Sequence, residues 1–295
     1  MVHKAFAYLD VDHPIVAWAV YRGTLVSVAA VGSAPTASHR PVSMMFAGMI
    51  QHQANARFQN ELLIDAVRRQ RYAHQVSRLT GMYFFTDHDE AKAAQNWGAY
   101  FRAESLSEVA VYSASPRTRV DANWITAAPL DTHGRLEVSD LSWIDCYWMG
   151  RSCDNRPVWE TIVHGRATVL GTELRRRAYD VLADRFPDAL DTLEVSRLAA
   201  EVDSDLGQTV ALMQQIADDR YRIDYFLDMR AAEEPGFLDR LAKHHGATNI
   251  RDLQPGKPTF GLPDFRPFSC EFTISQEVDS GTGYSLPTVH RQVDI

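Results

Sequence analysis

The sequence predicts a mixed α+β fold, and three observations carry that prediction. Met82-Tyr83-Phe84-Phe85 is a short aromatic run between Gly81 and Asp87, the pattern of a buried strand. Two β-rich runs flank His164-Gly165, a turn signal, with Glu160 at the start of the first. After Gly171 the apolar residues recur at helical spacing. An α+β domain over residues 1–171 is therefore expected to precede a helical domain over 172–253. Pro255, Pro258, Pro263 and Pro267 interrupt regular structure beyond that, so residues 254–295 read as an irregular Pro/Gly-rich tail.

Taken in order, residues 4–11 alternate loosely and predict a first strand. Residues 15–21 and 24–31 are rich in Val, Ala and aromatics around Tyr21-Arg22-Gly23-Thr24, which predicts a hairpin. Residues 32–41 read as a loop, and the Met-rich run 42–53 as a short helix or simply core. Residues 58–72 predict an amphipathic helix, with Phe58, Leu62, Ile64, Ala66 and Val67 on its apolar face. Arg68, Arg69 and Arg71 load its C-terminal end, where they complement the helix dipole or face phosphate groups. Thr86 or Asp87 caps the helix after the aromatic strand, with Glu90 as capping-box partner, and Gly98 stops it.

Residues 106–112 predict a strand by alternation, and 116–119 a loop. Trp143, Tyr147 and Trp148 cluster in 141–150, either as core or as faces for a stacked ring. Past Gly171, Thr172 is an N-cap candidate for a stripe of Leu174, Ala178, Val181, Leu182 and Phe186. Residues 190–202, 206–230 and 236–244 continue at helical spacing. Residues 270–274 offer one short strand, and 279–283 a mobile stretch.

Composition sets the outer limits. The 295 residues are 45% hydrophobic and 23% charged, enough to bury a sizeable core. No run of about 18 apolar residues is present, which argues against a membrane span. The N-terminus lacks a signal peptide's apolar segment, so a cytoplasmic location is expected. Cys146, Cys153 and Cys270 are unclustered and suggest neither a zinc site nor a disulfide framework. A net charge of −8 argues against a wholesale polyanion-binding surface while leaving a local one open. Lys4, Lys92, Lys243 and Lys257 are the only lysines among 30 basic residues, and arginine suits phosphate recognition.

No glycine-rich phosphate loop, His-Glu-x-x-His or Gly-x-Ser-x-Gly motif occurs. His88 stands beside Asp87, Asp89 and Glu90, but adjacent residues at a helix start point apart, so no metal is expected. The strand ending in Tyr-Phe-Phe-Thr-Asp, followed by an acidic cap and an Ala-rich helix, resembles a segment of the ADP-ribosyltransferase family. Members often read Gly-x-Tyr-Phe-Thr-Asp, then Glu-Ala and a helix.

That resemblance implies a split β-sheet domain followed by the helical C-terminal domain, with NAD as co-substrate. It implies that Tyr83 stacks on nicotinamide and that Ser77, Arg78 and Thr80 surround the ribose and diphosphate, Arg78 pairing with phosphate. Glu160 is then the catalytic glutamate, holding the nicotinamide ribose 2′-hydroxyl; read alone, it is a solvated strand-end charge. The acceptor is a macromolecule, nucleic acid or protein, in a bacterial toxin or defence effector. Two departures are visible. Residues 4–11 offer no His or Arg for the first strand, and Val158 stands two before Glu160, which argues against arginine as the acceptor. The competing expectations are a non-catalytic interaction or structural protein, and a glycohydrolase cleaving NAD or another nucleotide.

Overall fold

A computed structural model describes residues 2–30, 39–98, 101–112, 114–244, 261–278 and 285–291. The chain is mixed α+β. It opens with β1 (Val2–Tyr8) and α1 (Pro14–Arg22), then β2 (Thr24–Val26), β3 (His39–Val42), α2 (Met44–Gln51) and α3 (Asn55–Arg71). The hairpin expected around Gly23 is not formed, because residues 15–21 are helical. Pro14 occupies the first turn, where its missing N–H costs nothing, and Gly23 at φ 94° closes the helix with an N–H bond to the Ala19 carbonyl. Ile15, Ala17, Trp18 and Val20 are all buried. A helix covered on nearly every side has no polar stripe, so its sequence resembles a buried strand.

Next come β4 (Met82–Phe85) and α4 (His88–Ala93), where the sequence placed them. Asp87 caps α4, accepting from the N–H groups of Asp89 at 2.7 Å and Glu90 at 3.3 Å. The reciprocal half of the capping box is replaced: Glu90 Oε2 lies 3.5 Å from Thr86 Oγ1. Asp87→Ala is expected to cost about 1 kcal/mol, read as a shift in the urea midpoint at unchanged slope. No shift would show that the cap adds nothing to this six-residue helix.

The chain continues through β5 (Leu106–Tyr112), β6 (Arg117–Asp121), α5 (Asn123–Thr126), α6 (Ser142–Trp148), β7 (Trp159–Val163) and β8 (Arg166–Val169). The expected loop at 116–119 is mostly β6, an edge strand in which Thr118 and Val120 are buried and Arg117 and Arg119 exposed.

The first sheet has seven antiparallel strands in the order β2-β8-β5-β1-β4-β7-β6. Its ladders are uneven. β1 and β5 pair along seven positions, whereas β1 and β4 pair only at Phe6↔Phe85. The turn at His164-Gly165 does not make a hairpin, since β7 pairs with β4 and β6 while β8 pairs with β5 and β2. That connection dictates the sheet's shape. Four inter-strand spacings between β7 and β8 would span about 19 Å in a flat sheet, whereas the chain from Val163 to Arg166 reaches roughly 10 Å. The sheet must curl until its two parts meet. Small side chains permit this: Ala5, Ala7 and Ala167 surround the buried Phe84 on the inner face. Gly165 adopts φ 135°, and a Cβ there would stand 2.7 Å from Ser115 Oγ.

After β8 come α7 (Thr172–Arg185), with Gly171 at its N-cap, and α8 (Leu190–Glu201). The helix expected over 206–230 is instead a β-hairpin, β9 (Gln208–Gln215) and β10 (Arg220–Asp228). Tyr221, Ile223, Tyr225 and Leu227 alternate with polar or exposed neighbours, and Ile223 and Tyr225 are buried. Period two decided the element. α9 (Phe237–Lys243) follows, then β11 (Cys270–Val278) and β12 (Ser285–Arg291).

The described part of the expected irregular tail is thus largely strand. The second sheet runs β12-β11-β10-β9-β3, all antiparallel. Phe265, Cys270 and Phe272 are buried against it because they complete the largest apolar core. That core joins α1, α2 and α3 to α7, α8 and the second sheet, so elements from both sides of Gly171 share it. Buried Arg22 ties them further, donating to the carbonyls of Leu206 and Ser204 and to Gln208 Oε1. The expectations for 32–38 and 279–283 lie outside the described residues. Among the described residues no helix is long and apolar enough to cross a membrane.

Candidate functional site

Glu160 heads β7 opposite Phe85 of β4 and Val120 of β6, and Tyr83 lies opposite Ile162 two positions along. Cross-strand partners and alternate residues share a face, so Glu160, Ile162, Tyr83, Phe85 and Val120 look the same way. Phe85 packs on Ala91 of α4 and on Ala94 just after it. The Tyr83 end is covered by α3 and α6, through Leu63, Ile64, Val67, Ile144, Tyr147 and Trp148. Tyr83 therefore occupies the face that α3 and α6 cover. Its ring is half-buried.

Into this covered face reaches Arg78, from the turn before β4. Its Nε donates to Glu61 Oε2 at 2.7 Å and its Nη2 to Glu61 Oε1 at 2.9 Å, a two-point pair. Nη1 donates to the Tyr147 hydroxyl at 2.7 Å and stands 3.7 Å from Glu160 Oε2, beyond hydrogen-bond length. The guanidinium carbon lies 5.1 Å from the Tyr83 ring centre and 5.7 Å from that of Tyr147, within cation–π range. The Tyr83 hydroxyl donates back to the Arg78 carbonyl at 2.6 Å. Arg78, Glu61 and Glu160 are 5%, 3% and 7% exposed, so these charges face one another rather than water.

The sequence-derived candidates thus divide. Arg78, Tyr83 and Glu160 meet in one cluster. Ser77 is buried elsewhere, donating to Asp65 Oδ1 at 2.6 Å and accepting from the Leu79 N–H. Thr80 is bonded through Oγ1 to His164 Nε2 at 2.9 Å. Each of the three Arg78 nitrogens makes one bond within the protein, which uses three of the five guanidinium N–H groups. Glu61 and Tyr147 also belong to the cluster; Tyr147 was read only as core or a stacking face, and Glu61 was not singled out. An acidic residue on a helix is ordinary, and only its burial beside Arg78 marks Glu61.

Two carboxylates and one guanidinium leave the cluster short of positive charge. Burial raises the Glu160 carboxyl above its ordinary pKa; Arg78 pulls it back, Glu61 pushes it further up and Arg57 opposes that. Burial alone would lower Arg78, but the Glu61 carboxylate more than offsets this and holds it well above the usual arginine value. Tyr83 and Tyr147 are both raised, first by burial and against the pull of Arg78. His164 is lowered, by burial and then by Arg68. Arg57 is exposed one helical turn above Glu61 on α3. Chemically, the cluster presents a strand-mounted carboxylate in a low-dielectric setting, able to stabilise a developing positive charge or to take up a proton.

No protein-family model matches the chain, and no curated protein matches it significantly.

Proposed function

We propose that the chain is an NAD-dependent transferase of the ADP-ribosyltransferase-like type, with Glu160 as its catalytic carboxylate and a macromolecular acceptor. The observation that carries this reading is Glu160 itself. It is a buried carboxylate at the head of β7, on the strand beside Tyr83, with the Arg78 guanidinium in ion-pair range at 3.7 Å but beyond hydrogen-bond length. The curled sheet, divided at the single Phe6↔Phe85 pair, supports a split β-sheet domain.

Cleavage of the nicotinamide–ribose bond sends its electron pair to the pyridine nitrogen, so nicotinamide leaves neutral and C1′ gains oxocarbenium character. A fixed carboxylate beside the ribose stabilises that charge, and the 2′-hydroxyl can donate to it. An acceptor nucleophile then bonds to C1′ and loses its proton. Tyr83 borders Glu160 and offers a ring edge to nicotinamide. For Ser77 and Thr80 to meet the ribose they must exchange their bonds to Asp65 and His164. The diphosphate falls to the exposed Arg57, because Arg78 is committed inside.

The test uses the whole chain and NAD labelled in its nicotinamide, with and without cell lysate. Release that requires lysate is the expected result for transfer. Release in buffer alone assigns a glycohydrolase, with water as the nucleophile. No release under either condition removes NAD from the function and leaves the cluster as a structural or interaction element.

A further inference from the structure

Arg78 stands between two buried carboxylates and bonds only one of them. We infer that Glu61 is the positioning residue of the site: by holding the Arg78 guanidinium in a two-point pair, it keeps that cation at ion-pair distance from Glu160 and out of hydrogen-bond reach. The inference rests on the reading that Glu160 is the working carboxylate.

The geometry is specific. The Nε/Nη2 edge of Arg78 meets both oxygens of Glu61 at 2.7 and 2.9 Å, and the remaining nitrogen is drawn to the Tyr147 hydroxyl at 2.7 Å. Glu160 Oε2 lies 3.7 Å from that nitrogen, close enough to feel its field and too far to bond. The charged and titratable groups facing Glu160 are few. α3 supplies Arg57 and Glu61, the turn before β4 supplies Arg78, and Tyr83 and Tyr147 come from β4 and α6. The β6 neighbour, Val120, is apolar. A carboxylate that must meet a cationic ribose is better left without a bonded guanidinium, since the pair would already neutralise it. Glu61 secures this by taking the fork of Arg78 for itself, and Tyr147 adds to it by drawing one of the two Nη1 protons.

Removing the charge of Glu61 should reverse the arrangement. In Glu61→Gln the guanidinium loses its carboxylate partner, and Glu160 is the nearest replacement. The Glu160 carboxyl should then titrate lower by about one to three on the pH scale, as carboxyls do when an opposite charge closes on them. Tyr147→Phe frees only the Nη1 proton and should move it the same way by less. The measurement is a 13C NMR titration of carboxyl-labelled glutamates in the whole chain, with the Glu160 signal identified by its loss in Glu160→Gln.

Loss of the Glu61 charge by itself also lowers the Glu160 midpoint, so the guanidinium's share is read by adding Arg78→Met. The inference expects that change to move the Glu160 midpoint more in the Glu61→Gln background than in wild type, whereas a role confined to holding the fold moves it equally in both. An unchanged Glu160 midpoint in whichever of Glu61→Gln and Tyr147→Phe is folded overturns the inference. The readout contains no NAD, so that larger shift alongside absent nicotinamide release would keep the inference and reject only the enzymatic reading.

Discussion

Arg78→Ala is expected to destabilise the protein by about 3–5 kcal/mol, the cost of leaving one member of a buried ion pair uncompensated. The reason is the company it leaves behind. Glu61 loses both of its bonds, Tyr147 loses its donor, and Glu160 faces a second buried carboxylate with no guanidinium between them. A solvated surface arginine would contribute roughly 0–1 kcal/mol, and Arg78 is only 5% exposed. Guanidinium unfolding of Arg78→Ala and of the double variant Glu61→Leu/Arg78→Met separates the causes. Replacing both partners with apolar groups of similar size should recover the part of the loss that comes from Glu61, leaving Glu160 as the one buried carboxyl of the cluster without Arg78. A single-variant loss below about 1 kcal/mol would show that water or another cation already serves Glu61.

Glu160→Gln is expected to move activity and stability in opposite directions. Withdrawing one electrostatic stabiliser of a transition state costs about 10²–10³ in rate, so nicotinamide release should fall by that factor. Stability should not fall with it. Burial raises the Glu160 pKa, so its stabilising form is the protonated one. That contribution is complete below the ordinary carboxylate pKa and is lost as pH rises through the folded value. Once ionised, the wild-type carboxylate carries a cost that the neutral amide avoids. The variant should therefore gain in melting temperature relative to wild type between acid and neutral pH. Unchanged turnover in folded Glu160→Gln would remove it from the mechanism. A wild type that gains on the variant as pH rises would show that Glu160 is stabilised in its charged form.

Legibility in the sequence followed how local each determinant is. β4 and the Asp87 cap were readable because Gly81, four large residues and an Asx cap lie within eight positions. α1 was not, since Trp18 and its neighbours are buried all round and carry no polar stripe. β10 had a period-two signal in Tyr221, Ile223 and Tyr225. It was hidden by the neighbouring run Val210-Ala211-Leu212, where a strand covered on both faces loses its alternation. Glu160 was picked by its place before a strand. Its approach to Arg78 depends on the pairing of β4 with β7 and on α3 lying across them, neither of which is written in adjacent residues. Glu61 was invisible for the same reason, and the bonds that place it were therefore unforeseen.

The curled sheet has a mechanical consequence. One part, β2-β8-β5-β1, and the other, β4-β7-β6, share a single backbone register pair at Phe6↔Phe85 and two short covalent straps, one at His164-Gly165 and one from Tyr112 to Arg117. Sliding one part along the other is blocked by the straps. Rotation about a line through Phe6↔Phe85 and His164-Gly165 breaks only one rung of ladder, so the resistance to such a twist comes from side chains that bridge the seam: Phe84 among Ala5, Ala7 and Ala167, and the Tyr8 hydroxyl donating to the Ala91 carbonyl. Amide exchange should report the uneven ladder: protons on the long β1–β5 seam should be held far longer than those at Phe6 and Phe85. Glu160, Tyr83 and Arg78 all ride on one part, so such a twist leaves their mutual spacing intact while altering what faces them across the seam.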